Sequence, residues 1–391
     1  MITQVTITNF KAIKQVTLDL TPLHLLIGPN DSGKTSVLEA IAAICRSVTR
    51  SAPDSFLGRW RGRELVHFDA KGTSVTATCK ITDGEGPFFY GIAAEFDTQH
   101  ATSVKWGTVQ YRDESKANVN LSNGEEWTYS ARLAQGLHVS HHATKDDLRY
   151  AKRVLSALSM CWYVRWSARN LALPVALNPK RRFRIEGNGF GLATLIDDIL
   201  NYDRDTFAEL EHEFVEIFPS VRSIALVQQT GYDSPVDQPD ETLQLKQSPG
   251  KQIVFRLKNS KHDLPASQAA EGMLYVLGYL ALMYLPEPPR VLLIEEPENG
   301  IHPNRVGDIV RILRRLVERH PETQVVLTSH SPYLVDAFEP QEVTWCHRNS
   351  ETGEVELTRL DTLPEVQRGL KVFSLGEIWT GELEPQPAES E

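Results

Sequence analysis

Residues 23–41 run Leu-His-Leu-Leu-Ile, then Gly-Pro-Asn-Asp-Ser-Gly-Lys-Thr, then Ser-Val-Leu-Glu-Ala-Ile. This order predicts a buried strand, a loop that matches G-x-x-x-x-G-K-[ST], and a helix. Gly28 and Gly33 permit backbone conformations that a Cβ atom disfavours. The loop can therefore direct several N–H groups at phosphate oxygens in front of the helix N-terminus. The stretch predicts a phosphate-binding loop.

The side chains of this loop indicate the ligand. Lys34 places a positive charge near the β- and γ-phosphates of a nucleotide, and the Thr35 hydroxyl is placed to hold Mg²⁺. We therefore expect ATP and Mg²⁺ as cofactors. The predicted nucleotide-binding residues are Gly28, Asn30, Asp31, Ser32, Gly33, Lys34, Thr35 and Ser36.

Two adjacent carboxylates follow a second apolar strand, predicted over 291–294. Glu295 stands where a phosphate-loop protein carries a ligand of Mg²⁺. Glu296, the next residue, is placed to orient or deprotonate an attacking water. Capping of the helix that starts near Pro303 would explain one carboxylate but not two that directly abut a buried strand.

A histidine follows a third buried strand, predicted over 324–328, in the sequence Ser329-His330-Ser331-Pro332. The C-terminal end of a strand faces the ligand in an open α/β sheet, so His330 is placed to bond a γ-phosphate. Before these strands, Gly272 lies near the start of an apolar helix predicted over 274–285. That start is a further helix N-terminus suited to an anion.

Composition excludes several classes of function. The net charge of −10 argues against an electrostatic grip on DNA by the whole molecule. The four cysteines are far apart and predict buried thiols. The longest apolar run, 273–285, is too short to cross a bilayer, and the N-terminus has no signal sequence. We expect a cytoplasmic protein without a membrane partner.

Several local features leave alternatives open. The predicted turn at 9–14 carries Phe10, which could stack on adenine or belong to a solvated hairpin. The cationic stretch 178–184 could contact nucleic acid, contact an acidic partner or form a solvated face. His138, His141 and His142 indicate a solvated loop more than a metal site.

Strand-like alternation over 2–8, 15–20, 73–81, 87–96 and 103–112 predicts an antiparallel sheet region, while helical periodicity appears at 144–160 and as two helices over 192–216. Strands are also predicted at 160–166, 222–228 and 252–258.

The predicted organisation is an ATPase core (1–50 and 252–348), an antiparallel β lobe with loops (51–142), a helical insertion (143–251), a C-terminal extension (349–380) and a disordered tail (381–391).

The order of these motifs resembles the ABC-type ATPases of the SMC/RecF/OLD group, most closely the stand-alone OLD-like ATPases of prokaryotes. The resemblance rests on Ile-Thr-Asn-Phe-Lys, Ile-Gly-Pro-Asn-Asp-Ser-Gly-Lys-Thr, Ile-Glu-Glu-Pro-Glu-Asn-Gly-Ile-His-Pro and Thr-Ser-His-Ser-Pro. It implies an α/β fold, namely an ABC-ATPase head with an antiparallel β lobe and a helical insertion. It also implies that two heads sandwich ATP.

By this resemblance, Glu295 is a metal ligand, and Glu296, Lys34 and His330 are catalytic. The signature that meets ATP from the other head comprises Ser267, Ala270, Glu271 and Gly272, and residues 299–302 contact the dimer partner. Ala270 replaces the usual signature serine, which predicts either slow hydrolysis or dimerisation that needs a partner, unless Ser267 substitutes. Gln99 and Gln110 are both candidates for the Q-loop glutamine of the family. The sequence contains no sustained heptad repeat of the kind that forms a long coiled coil. It also contains no acidic pattern after residue 340 that resembles a TOPRIM nuclease.

The expected function is a dimeric switch driven by ATP binding and hydrolysis. By analogy, it is the ATPase or sensor subunit of a prokaryotic anti-phage system that controls a separately encoded nuclease or toxin. Nucleic-acid binding is allowed but not required. The alternatives are a RecF-like repair or recombination ATPase that binds DNA directly, and an ATP-dependent scaffold that does not hydrolyse ATP.

Overall fold

The computed structural model describes residues 1–50, 55–56, 62–96, 104–111, 118–119, 145–178, 182–233 and 244–383. The chain divides into two compact units. The first comprises Met1–Trp162, Pro289–Leu293 and Glu322–Glu391, and the second comprises Tyr163–Pro288 and Ile294–Pro321. The domain boundaries expected from the sequence stay a prediction.

The strands are β1 (Ile2–Phe10), β2 (Ile13–Asp19), β3 (Leu23–Ile27), β4 (Ser74–Asp83), β5 (Gly86–Phe96), β6 (Val104–Tyr111), β7 (Asn118–Val119), β8 (Cys161–Val164), β9 (Val175–Ala176), β10 (Val221–Asp233), β11 (Gln244–Leu257), β12 (Leu264–Pro265), β13 (Val291–Glu295), β14 (Gln324–Ser329), β15 (Val343–Arg348) and β16 (Val355–Arg359). The α-helices are α1 (Lys34–Arg46), α2 (Lys145–Leu158), α3 (Ala168–Leu171), α4 (Leu192–Tyr202), α5 (Arg204–Ile217), α6 (Glu271–Met283), α7 (Pro303–Arg319), α8 (Pro332–Val335), α9 (Pro364–Gly369) and α10 (Leu375–Ile378). Short helical turns lie at Gly62–Leu65, Ala266–Gln268, Pro340–Glu342, Leu360–Thr362 and Trp379–Leu383.

The first unit contains an antiparallel sheet in the order β2-β1-β4-β5-β6-β7. The strands that alternation predicted over 73–81, 87–96 and 103–112 are confirmed as β4, β5 and β6. The N-terminal hairpin β1–β2 extends the same sheet, because β1 pairs with β4. Pairing between strands this far apart in the chain cannot be predicted from a local sequence pattern.

The second sheet has the order β16-β15-β3-β14-β13-β8. β3 runs parallel to both of its neighbours, β14 and β15. All residues of β3 and β14 are buried, as expected of continuous apolar runs in a parallel sheet. The strands predicted at 23–27, 291–294 and 324–328 are confirmed, and the mixed α/β class is confirmed with them.

Phe10 corrects one hypothesis. Its side chain is only 2% exposed, and its ring lies 6.0 Å from that of Phe56. The Phe10 ring therefore belongs to the core and is not available to stack on adenine, while the predicted hairpin is confirmed as β1–β2. The cause is non-local, since Phe10 also forms a β-bridge with Val66, a contact that the sequence around residue 10 does not reveal.

The second unit contains the two helices expected over 192–216, which are confirmed as α4 and α5, and a long β10–β11 hairpin. The predicted helical insertion therefore also carries strands. Helix α6 is buried from Met273 to Met283, as expected of a helix that is apolar on all sides. Within the described residues, no helix combines the length and apolarity needed to cross a membrane.

His24, in the buried strand β3, makes stability depend on pH. Its Nε2 lies 3.0 Å from Thr344 Oγ1 and its Nδ1 lies 3.1 Å from Thr21 Oγ1. Burial lowers its pKa to about 3. An unfolded histidine titrates near 6.5, so between these values the unfolded chain binds the extra proton and the free energy of unfolding falls as pH falls.

We expect the first unit to lose about 1.6 kcal/mol of stability between pH 6.5 and pH 5 because of His24. Thermal unfolding at both pH values would measure it. The His24→Gln variant should show a smaller pH dependence, while His262→Gln, at an exposed site, should retain the full dependence. Equal dependence in all three proteins would contradict the assignment.

Candidate functional site

The loop between β3 and α1 has the backbone geometry of an anion cradle. Gly28 has φ +144°, and a Cβ atom there would overlap the backbone carbonyl of Cys346. Gly33 has φ +88° and is the N-cap of α1, with no side-chain hydrogen bond to the cap. Because glycine has no side chain, it cannot cap the first N–H groups of α1, and this suits them to an anionic ligand.

Lys34 holds its ammonium group inside this loop. Nζ donates to the carbonyl oxygens of Gly28 (2.7 Å) and Pro29 (2.8 Å) and to Ser32 Oγ (3.3 Å). The Lys34 residue is 6% exposed. The positive charge is thus fixed at the loop by three oxygen contacts, while the next side chain, Thr35, is exposed.

The other predicted loop residues differ in exposure. Asn30 and Asp31 are exposed, whereas Ser32 and Ser36 are buried. Asp31 has φ +68° and forms an ion pair with Arg348 at 3.0 Å. Arg348 was not predicted at this loop, because it lies 317 residues away along the chain.

His330 lies at the same sheet edge as the start of the loop. It directly follows β14, in which Ser329 is paired in parallel register with Ile27 of β3. Ile27 is the last residue before Gly28, so the strands that lead to His330 and to the loop end level with each other. The Ser331 N–H donates to Ser329 Oγ (2.9 Å), which helps to define the turn around His330.

Glu295 is a buried and oriented carboxylate in the second unit. It is 7% exposed, accepts a hydrogen bond from the Tyr163 hydroxyl on Oε1 (2.7 Å), and has Arg165 Nη1 at 3.5 Å from Oε2. Neither Tyr163 nor Arg165 was expected at the site. They lie in and directly after β8, a segment with no recognised motif.

Glu296 has an unusual backbone conformation. Its φ of +47° lies in the left-handed region, which costs a non-glycine residue on the order of 1–3 kcal/mol. Asn299 stabilises this turn in two ways, since Nδ2 donates to Glu296 Oε2 (2.6 Å) and the Asn299 N–H donates to Glu296 O (3.1 Å). Such strained residues concentrate at functional sites.

The predicted signature lies at the start of α6. Ala270 is the N-cap of this helix and provides no capping side chain. Ser267, Ala270 and Glu271 are exposed, and there is open space around Gly272. A Cβ atom on Gly300, which has φ +76°, would overlap the Glu271 carboxylate. Glu271 therefore lies against the loop at 299–302 of its own chain.

The cationic stretch has acidic neighbours within its own unit. Arg182 Nε lies 3.7 Å from Asp198, and Arg184 Nε lies 3.7 Å from Glu186. These carboxylates reduce the net positive charge that the stretch presents to nucleic acid.

Several residues for which the sequence made predictions lie outside the described residues. They are Lys180 and Arg181, His138, His141 and His142, Gln99, most of the loop at 51–63 and the end of the tail.

The predicted site residues fall in both units. The loop residues and His330 belong to the first unit, and Glu295, Glu296 and the signature residues belong to the second. Within the described residues, no group of three or more His, Cys, Asp or Glu side chains could hold a metal ion by itself. The roles assigned to these residues stay predictions.

Tyr163 allows a test of the Glu295 role. Removing its hydroxyl in Tyr163→Phe takes away a donor that orients the carboxylate, so the Mg²⁺ concentration for half-maximal ATP binding should rise about fivefold to tenfold. Tyr284→Phe is the matched control, because Tyr284 also donates to a glutamate of the second unit, Glu213. An equal effect of both variants, or no effect of either, would contradict the role.

The fold is shared with the head domains of SMC proteins. Two solved structures share the fold: an SMC head bound to the C-terminal winged-helix domain of ScpA (TM-score 0.55, 13% identity, covering 92% of this chain and 99% of that one), and an SMC head with an extended coiled coil bound to the C-terminal domain of ScpA, derived from Pyrococcus furiosus (0.54, 10%, 95% and 99%). At these identities the likeness shows the fold alone.

The chain belongs to the family described as "AAA domain, putative AbiEii toxin, Type IV TA system", whose model matches residues 23–336. It is also similar to the OLD nuclease of Thermus scotoductus (strain ATCC 700910 / SA-01), with 24% identity over 360 residues. The match covers 86% of this chain and 60% of that protein, so the chain spans about three fifths of the relative's length. The resemblance to SMC/OLD-type ATPases is confirmed.

Proposed function

We propose that this ATPase binds and hydrolyses Mg-ATP and acts as a dimeric switch. The observation that carries the proposal is the loop at 28–35, in which Lys34 is held by three oxygens at a helix N-terminus that has no side-chain cap. A fixed ammonium group beside the N-terminal N–H groups of a helix suits a polyphosphate. The family match supports the same ligand class.

The residues present fit a magnesium ion as well. Thr35 offers an exposed hydroxyl and Glu295 a buried, oriented carboxylate, and oxygen ligands of this kind suit Mg²⁺. When bound, Mg²⁺ would neutralise charge on the phosphates. We assign Glu296 to orient the attacking water and accept its proton, Lys34 to stabilise phosphate charge, and His330 to bond the γ-phosphate.

We further propose that two heads bind ATP between them. The likeness to SMC heads supports this arrangement at the level of fold. Ser267, Ala270, Glu271 and Gly272 would then face the nucleotide of the partner head, with residues 299–302 beside it. The exposed start of α6 suits such a contact, and the missing hydroxyl at Ala270 predicts slow turnover.

The biological role that we propose is control of a separately encoded effector, a nuclease or toxin, in a prokaryotic anti-phage system in the cytoplasm. The family description, which names a putative toxin and a type IV TA system, and the likeness to an OLD nuclease support it. A phage-plating assay would test it in a host that carries the chain with its neighbouring reading frames. Protection should require Lys34, and protection by Lys34→Ala at the wild-type level would contradict it.

Measurements of ATP turnover and of light scattering on the purified protein test the proposed hydrolysis and the proposed ATP-dependent dimerisation. We expect slow hydrolysis and a dimer that forms with ATP and not with ADP. A monomer under both conditions would contradict the switch. Salt-dependent DNA binding by the protein alone, lost in Arg182→Ala/Arg184→Ala, would instead favour the RecF-like alternative.

A further inference from the structure

The β15–β16 hairpin follows the phosphate loop along much of its length. β15 pairs in parallel with β3 up to the Trp345–Ile27 pair, and β3 ends at Ile27. β15 continues for three more residues, to Arg348. The hairpin therefore runs beside the loop after the sheet pairing has stopped.

Three contacts join the hairpin to the loop, at its first, middle and last parts. The carbonyl of Cys346 occupies the space that a Cβ on Gly28 would need. Methyl groups of the buried Val355 lie 3.1 Å from the place of a Cβ on Gly33. Between these points, Arg348 Nε donates to Asp31 O (3.0 Å), and its Nη2 lies 3.0 Å from Asp31 Oδ1.

The turn that Arg348 contacts is sterically demanding. The Ser32 N–H donates to Pro29 O (3.3 Å), which closes a four-residue turn. Asp31, its third residue, has φ +68°, whereas the φ of Asn30 is negative. This is the pattern of a type II turn, which favours glycine at the third position. Aspartate adopts this conformation less readily than glycine does, so contacts made by Asp31 compensate for part of the cost.

Arg348 supplies that compensation. The peptide bond between Asp31 and Ser32 is planar, so fixing the Asp31 carbonyl also fixes the direction of the Ser32 N–H. Arg348 is itself held in place, because its Nη1 donates to Gly353 O in the hairpin turn (2.8 Å). A planar guanidinium can make all three contacts together, which an ammonium group cannot.

We propose that Arg348 is a positioning residue for nucleotide binding: it holds the Pro29–Ser32 turn in the shape that accepts phosphate. The inference rests on the proposed binding of Mg-ATP by this loop. A preorganised loop binds more tightly because less conformational freedom is lost on binding. Arg348 therefore acts on affinity rather than on the chemical step.

Calorimetry with Mg-ATP and steady-state kinetics on the full chain test the proposal. Arg348→Ala should raise Kd and KM about tenfold and change kcat less than about twofold. Arg348→Lys should fall between Arg348→Ala and wild type. Arg359→Ala is the matched control, since Arg359 lies in the same hairpin and pairs with Asp361, and its Kd should equal that of wild type.

A second substitution tests the mechanism directly. Asp31→Gly removes the conformational penalty, so Asp31→Gly/Arg348→Ala should bind Mg-ATP at least about threefold more tightly than Arg348→Ala. A double variant no tighter than Arg348→Ala, or a single variant within twofold of wild type, would overturn the proposal.

Hydrogen exchange separates this inference from the proposed function, because it needs no nucleotide. Peptides that contain Ser32 should exchange faster in Arg348→Ala than in wild type or Arg359→Ala. Unchanged exchange overturns the role of Arg348 even if ATP binds. Faster exchange in a protein that shows no ATP binding supports the positioning role of Arg348 and rejects the proposed function.

Discussion

Glu296→Gln should lower ATP turnover by at least about a hundredfold and leave ATP bound between two heads. The substitution removes the carboxylate that would accept a proton from water but keeps nearly the same size. Asn299 can still contact the side chain, so the strained turn around residue 296 should persist. Binding of Mg-ATP should stay within a few fold of wild type.

Single-turnover hydrolysis and light scattering measure these two effects. Glu287→Gln, an exposed glutamate outside the motifs, should behave as wild type. A scaffold that does not use hydrolysis would show the same behaviour in Glu296→Gln and wild type. Full turnover in Glu296→Gln would reject Glu296 as the base.

Lys34→Ala should weaken Mg-ATP binding by at least about thirtyfold, from the loss of charge-assisted hydrogen bonds to phosphate. Lys34 also holds the Gly28 and Pro29 carbonyls, so the loop itself should become less ordered. The ATP-induced rise in melting temperature should disappear in this variant. The exposed Lys258→Ala should keep the full rise, and an equal rise in both variants would contradict the role of Lys34.

The phosphate loop and its flanking elements were predictable because the motif is contiguous. β3, the glycines and α1 occupy one short stretch, and each has a local physical signature. The strands before Glu295 and His330 were predictable for the same reason, since continuous apolar runs end in polar residues there. Steric demands at Gly28 and Gly33 agree with this prediction.

Other features depend on contacts between distant segments. Phe10 is buried where its ring lies near Phe56 and its backbone forms a bridge with Val66. Alternation of apolar and polar residues alone does not show which face of a strand is buried. Tyr163 contacts a carboxylate 132 residues away. The left-handed backbone of Glu296 could not be predicted from the sequence either, because glutamate has no preference for that conformation.

Titration calorimetry of wild-type protein with Mg-ATP tests the central claim, that the loop at 28–35 recognises a triphosphate. We expect saturable heat at one site per chain, much weaker binding when Mg²⁺ is chelated, and no comparable heat with adenosine. Absence of heat with Mg-ATP, or equal binding of adenosine, would contradict it.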